Sequence, residues 1–221
     1  MDSIFEIKGK LFEQFAAIGH SLSSPKRLEL LELLHQCEKR VETLAGNSSM
    51  SVANTSRHLQ VLRSAGLVET RREGFHIYYR LADAQVHDLV RNLKSLAEAR
   101  LADVERVLAK LNDDMDGFEV IERDQLVPMA MSGEILVLDI RPEDEYEAAH
   151  MAHAISVPLT KLAGYLDRLP KGQKIVAYCR GPYCVLANAA VKMLREAGFN
   201  AMRIKDGISE LRAAGVPIVS N

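Results

Sequence analysis

Cys179, Arg180, Gly181, Pro182, Tyr183 and Cys184 place two thiols in one six-residue segment near the C-terminus. The apolar, β-branched run Lys174–Tyr178 comes before it, and a helical pattern (Val185, Leu186, Ala189, Ala190, Met193, Leu194) follows. A cysteine at a strand end, in a short loop that opens a helix, meets backbone N–H groups and the positive end of the helix dipole. That setting lowers a thiol pKa and steadies an anionic adduct on sulfur. The alternative is a small buried hydrophobe at a strand end.

The elements that hold this loop belong to the second of two halves. The 221 residues carry a formal net charge of −2, which suggests no polyanion-binding protein overall. Residues 1–112 hold 16 Lys and Arg against 14 Asp and Glu, whereas residues 113–221 hold 12 against 16, so the basic surplus lies in the first half. Three cysteines in a chain this long are no disulfide framework, which fits a reducing compartment. The sequence has no basic-then-apolar leader pattern and no apolar run of the roughly 18 residues a membrane span needs. A cytoplasmic protein with no membrane partner is expected. The acidic break Asn112-Asp113-Asp114-Met115-Asp116-Gly117 gives a linker at 113–117 between domains at 1–112 and 118–221.

In the first domain, Ser24-Pro25 starts a helix ahead of Leu28, Leu30, Leu31, Leu33 and Leu34. A short helix (Val41–Ala45) and a turn (Gly46–Met50) lead to a second helix over 51–63, with Val52, Leu59 and Leu62 on its apolar side. Two short helices across a tight turn, the second bearing small polar and basic residues, are the build of a helix-turn-helix. Double-stranded DNA is the implied partner. Candidate contacts on this helix are Ser51, Asn54, Thr55, Ser56, Arg57, His58, Gln60 and Arg63. Alternating stretches around Glu73-Gly74 form a hairpin, or wing, that adds Arg71 and Arg72. Over residues 57–80 the local charge is +3, suited to phosphates on both sides of a groove. Residues 86–111 read as one long amphipathic helix with Val86, Leu89, Val90, Leu93, Leu96, Leu101, Val104, Val107, Leu108 and Leu111 near heptad spacing. With a helix around Phe5, Leu11, Phe12 and Phe15 it offers a homodimer interface; packing within the monomer or on the second domain is the alternative.

The stretches Ser24–Leu31, Thr55–Val68, Arg71–Gly74 and Tyr78–Leu81 resemble the ArsR family of winged-helix repressors over roughly residues 10–110. The resemblance implies a dimeric repressor that leaves its operator when an inducer binds. Many members sense metals through cysteines on the helix before the turn. Here that helix, Val41–Ala45, has neither cysteine nor histidine, so metal sensing of that type is not expected. Cys37 lies near a helix end as a surface or half-buried thiol, with a redox role as its alternative.

The second domain alternates strands (134–141, 174–178, and a last one at 201–204) with helices, which predicts an α/β fold with a parallel sheet and a site at the strand C-terminal ends. Leu138-Asp139-Ile140-Arg141, Glu145-Tyr146, His150, Pro158, Tyr178-Cys179, Gly198-Phe199, Gly207 and Gly215-Val216-Pro217 resemble a rhodanese domain over nearly all of 118–219. The resemblance implies that Cys179 takes a sulfane sulfur from a donor such as thiosulfate or polysulfide and holds it as a persulfide. The loop through Arg180, Gly181, Pro182, Tyr183, Cys184 and Val185 would ring the outer sulfur with N–H donors. Pro182 and Cys184 depart from the usual loop, Ala149 and His153 replace glycine, and Leu211 stands where tryptophan is common. No arginine ends the loop, which argues against oxyanion chemistry.

Cys184, five positions on, is placed to attack a persulfide on Cys179 and give a disulfide or sulfur-bridged link. Its alternative is a buried cysteine on the first helical turn. Asp139 and Arg141 are expected to brace the site. His150 and His153 are too few for a metal site, and no metal or other cofactor is implied. Together the halves suggest a repressor that senses reactive sulfur at Cys179. The rival is a sulfurtransferase whose winged helix only dimerises or tethers it to DNA.

Overall fold

The computed structural model describes residues 3–113 and 120–220, with residues 111–113 described by backbone alone. It divides into two compact units, residues 1–100 and 101–221. The proposed linker at 113–117 lies outside the described residues apart from Asp113.

In the first unit, α1 (Ile4–Leu22) is closed at its start by Ser3, whose hydroxyl accepts the Glu6 N–H while the Glu6 carboxylate accepts the Ser3 N–H. Ser24-Pro25 opens α2 (Pro25–Gln36), which buries Leu30, Leu31, Leu33 and Leu34. A short strand β1 (Lys39–Arg40) leads to α3 (Val41–Asn47) and α4 (Val52–Ser64), the latter capped by the Ser51 hydroxyl. Strands β2 (Val68–Glu73) and β3 (His76–Leu81) form the wing, with Glu73 opposite His76 and a sheet order β1-β3-β2.

Two expectations change here. Val52 is 46% exposed, and Thr55, fully buried, takes the inward place in register with Leu59 and Leu62. Its hydroxyl donates to the Ser51 carbonyl at 3.0 Å, so Thr55 fills the core and is not on the outer face. The helix expected over 86–111 is two, α5 (Ala84–Arg100) and α6 (Ala102–Asp113). At the break the Leu101 carbonyl accepts the Val104 N–H, a fresh first turn that no proline or glycine announces. The apolar stripe continues across this break, which is why periodicity alone merges the two helices.

The second unit runs α7 (Arg123–Met131), β4 (Ile135–Asp139), α8 (Glu143–Ala148), β5 (His150–Met151), β6 (Ile155–Ser156) and α9 (Leu159–Leu162). A 3-10 turn (Ala163–Arg168) then leads to β7 (Lys174–Tyr178), α10 (Leu186–Glu196), β8 (Ala201–Arg203), α11 (Ile208–Ala213) and β9 (Ile218–Val219). The parallel sheet has the order β6-β4-β7-β8. One face packs Val137, Val176, Tyr178 and Met202 with Leu126 and Leu211; the other packs Leu138, Ile175 and Ala177 with Ala190, Val191 and Leu194. Cover on both faces is why these strands read as apolar runs rather than alternating ones. The strand at 201–203 is not the last: β9 pairs antiparallel with β5, His150 opposite Val219 and Met151 opposite Ile218. No described helix is long and apolar enough to cross a membrane.

Candidate thiol site and DNA-binding surface

Strand β7 ends one residue before Cys179 and so carries it to the C-terminal edge of the sheet. Cys179 is 2% exposed and Cys184 is half-buried. The Cys179 thiol donates to the Cys184 carbonyl oxygen at 3.6 Å, which draws the two cysteines together across the loop. The N–H groups of Ala187 and Gly181 are directed at the Cys179 sulfur, and those of Arg180 and Leu186 at the Cys184 sulfur. The curl that permits this closes with the Cys184 N–H donating to the Gly181 carbonyl at 3.1 Å. Gly181 has φ +138°, a conformation side-chain-bearing residues avoid. Gly207, just before α11, is needed for a different reason: a Cβ there would stand 2.3 Å from the Arg180 carbonyl oxygen.

The charge on the pair is opposite to the sequence expectation. Burial pushes the Cys179 thiol well above the ordinary thiol range, and its hydrogen bond to Cys184 and that neighbour's charge push the same way. Cys184 is lowered to about 6, first by the hydrogen bond from Cys179, then by the Arg180 and Leu186 N–H groups and the Arg180 charge. The pair thus pushes the two thiols in opposite directions, Cys179 up and Cys184 down. The two thiols titrate as a unit.

A buried polar frame holds the loop. Arg141 donates to Asp139 through Nε at 2.9 Å and a terminal nitrogen at 2.6 Å, and to the Ala149 carbonyl at 2.6 Å. The Tyr178 hydroxyl donates to Asp139 Oδ2 at 2.5 Å and accepts the Met151 N–H at 3.2 Å. Burial first, and the Asp139 charge second, hold Tyr178 protonated far above the usual phenol range. Burial works against the charge of Arg141, and the Asp139 hydrogen bonds outweigh it. Arg180 grips Glu145 at 2.7 and 2.9 Å, the carboxylate being fully buried. Asp139 and Arg141 therefore brace the site. Glu145, Tyr178 and Gly207 belong to the same frame but carry no spacing signal that assigns them these partners.

His150 stacks on Tyr146 with ring centroids 3.7 Å apart, its Nδ1 2.7 Å from the Tyr146 carbonyl oxygen. His153 occupies a positive-φ turn position. Among the described residues no group of three or more metal-ligating side chains occurs. Cys37 is half-buried at the C-terminal cap of α2.

Of the candidate DNA contacts on α4, Asn54, Arg57, Gln60 and Arg63 are exposed, with Ser51 exposed at the cap and Ser56 and His58 half-buried. On the wing, Arg71 is held by Glu38 at 2.5 Å and Glu73 at 2.8 Å and lies over the Tyr78 ring. The Arg71 hydrogen bond holds the Glu38 carboxyl below the usual range. Arg72 spends one N–H on the Gly74 carbonyl at 3.2 Å and extends from the hairpin tip.

A helix-turn-helix with a basic wing, joined to a sheet that ends in a paired-thiol loop, defines a transcription regulator carrying a rhodanese-like domain. Residues 24–70 match the bacterial regulatory protein, arsR family, and residues 122–214 match the rhodanese-like domain. The HTH-type transcriptional regulator Rv0324 of Mycobacterium tuberculosis is 40% identical over 96% of this chain and 92% of its own length. The homodimeric winged helix-turn-helix domain of Mb0332 from Mycobacterium bovis is 38% identical over 46% of this chain and 91% of that one, with a TM-score of 0.42. A rhodanese-related protein from Thermoplasma volcanium is 24% identical over 47% of this chain and 100% of that one, also with a TM-score of 0.42. The chain belongs to the ArsR-family transcriptional regulators that bear a C-terminal rhodanese domain.

Proposed function

We propose that this regulator is a homodimeric repressor that binds operator DNA and senses sulfane sulfur at the Cys179–Cys184 pair. The observation that carries the reading is a buried cysteine at the C-terminal edge of the sheet whose thiol donates to the backbone of a second cysteine in the same curled loop. Proton transfer from Cys179 to the neighbouring Cys184 thiolate generates the nucleophile. The Cys179 sulfur bonds to the outer sulfur of thiosulfate or a polysulfide as the donor's S–S bond breaks. The electron pair leaves on sulfite or the shortened polysulfide, and Cys179 becomes a persulfide anion. Cys184 then attacks the Cys179 Sγ; the outer sulfur departs with the proton Cys184 had gained, as hydrosulfide, and a Cys179–Cys184 disulfide forms.

The dimer is supported by apolar side chains left in water: Phe5 is 83% exposed and Phe15 60% on α1, and Leu96 58% on α5. A dimer also sets two α4 helices about one DNA turn apart. Arg57, Gln60 and Asn54 read the groove in this arrangement, and Arg72 meets phosphate. Arg72→Ala is expected to weaken operator binding and reduce the salt-dependence slope by about 1, whereas Arg71→Ala does less because Glu38 and Glu73 already match its charge. Titrating both variants across a salt series checks this.

The test of the function is operator affinity at fixed salt, before and after exposure to a polysulfide. A fall that a thiol reductant reverses supports sensing. Unchanged affinity together with steady turnover of thiosulfate would leave a sulfurtransferase tethered to DNA.

A further inference from the structure

Strand β8 is built of apolar residues apart from Arg203, which is 5% exposed in a sheet otherwise packed with hydrophobic side chains. A buried guanidinium costs several kcal/mol of desolvation, and a sulfur anion beside it would offset part of that cost. Register supplies the position. Arg203 is paired with Ala177 on β7, and Met202 with Val176. Side chains alternate along each strand, and Val176, Tyr178 and Met202 all face the cluster that contains Val137. Ala177 and Ala201 face the opposite side, against α10, so Arg203 stands on that side too.

Cys179 follows Ala177 by two positions, so continuing the strand alternation one residue past β7 places it on the Arg203 side, one diagonal step away across the pair of strands. The α10 end there supplies the Ala187 N–H to the Cys179 sulfur. The charged and titratable groups that face Cys179 are thus Cys184 and Arg180 from its own loop and Arg203 from the neighbouring strand. Arg180 is committed to Glu145, and its charge acts on Cys184. Burial lowers the Arg203 pKa, and the Cys179 sulfur acts in the opposite direction.

We propose that Arg203 is a positioning residue, the buried counter-ion for the sulfur anion formed at Cys179. This deepens the sulfur-sensing reading, since it supplies the charge that keeps a Cys179 persulfide ionised behind the N–H ring. On the loop itself Cys184 offers another acid, and the Arg180 guanidinium is gripped by the Glu145 carboxylate. The residue also explains how a thiol raised by burial becomes a usable nucleophile: as its proton passes to Cys184, the charge it gains faces a cation.

The test uses full-length protein with Cys37→Ser and Cys184→Ser, so that Cys179 is the sole thiol, and follows thiolate ultraviolet absorbance against pH. Arg203→Met is expected to raise the titration midpoint by at least about one pH unit, and Arg203→Lys to restore most of the shift. Arg203→Gln serves if the Met variant does not fold. A neutral variant that melts cooperatively yet titrates where its parent does would overturn the proposal. So would an Arg203→Lys midpoint as high as that of the neutral variant. The measurement involves neither DNA nor a sulfur donor, so its failure would leave the sensing hypothesis to its own test.

Discussion

Cys179→Ser is expected to bind operator DNA with unchanged affinity and to lose the response to polysulfide altogether. The wild-type response should be about 5–150-fold in affinity, the ordinary size of a coupling between two sites. Serine occupies nearly the same volume at a 2% exposed position, so the fold is kept while the sulfur that would accept the donor's atom is gone. Cys184→Ser separates the two steps: Cys179 still loads sulfur, but no cross-link forms. Peptide mapping after polysulfide treatment reads both outcomes, and a wild-type loop that never cross-links would rule out the second step. The pH dependence has a definite sign. With Cys184 lowered to about 6, the pair holds its anion above that pH and loses it below, so loading should slow as pH falls through about 6. A mutant Cys179→Ser that still released DNA on treatment would move the sensor elsewhere, with Cys37 the remaining thiol to test.

The second large effect is on stability. Asp139→Ala should destabilise the rhodanese-like unit by about 3–5 kcal/mol, because it strands the buried Arg141 charge and removes the acceptor of the Tyr178 hydroxyl. Arg141 and Asp139 are 1% and 0% exposed, so solvent cannot take over either partner. Tyr178→Phe removes only one bond to a charged acceptor and should cost about 1.5–3 kcal/mol. Urea titrations with hydrogen exchange followed in β4 and β7 would separate this unit's unfolding from the other's. An Asp139→Ala protein within about 1 kcal/mol of wild type would mean that the frame does not hold the loop.

The sequence made the thiol loop, the wing and the alternation of strands and helices legible because each is a local pattern. Lys174–Tyr178 is a strand because its β-branched run is short and bounded, and Ser24-Pro25 starts a helix because proline needs no partner for a missing N–H. Features that depend on distant chain segments were not legible. The two-residue strands β5 and β9 exist through each other, and neither has enough length to show a period. Thr55 reads as polar and outward until its hydroxyl is seen to bond the turn behind it. On α10 the buried face is Ala187, Ala190, Val191 and Leu194, with Val185 52% exposed, because the sheet below sets the phase of the helix. The opposite directions in which the two thiols are pushed are likewise invisible in residue types. They follow from burial and from which N–H groups the curled loop aims at each sulfur.

The tight approach of Gly207 to the Arg180 carbonyl has a mechanical consequence. With space for no more than a hydrogen at that point, the thiol loop rests against a wall on the α11 side. A sulfur atom added to a nearly enclosed Cys179 brings volume that the wall cannot yield to. The opposite side of the loop ends in Pro182 and Val185, both in contact with water. Under the sulfur-sensing proposal displacement is therefore expected outward, turning a change of one atom in the interior into a change of contour on the surface, where a neighbouring molecule could read it.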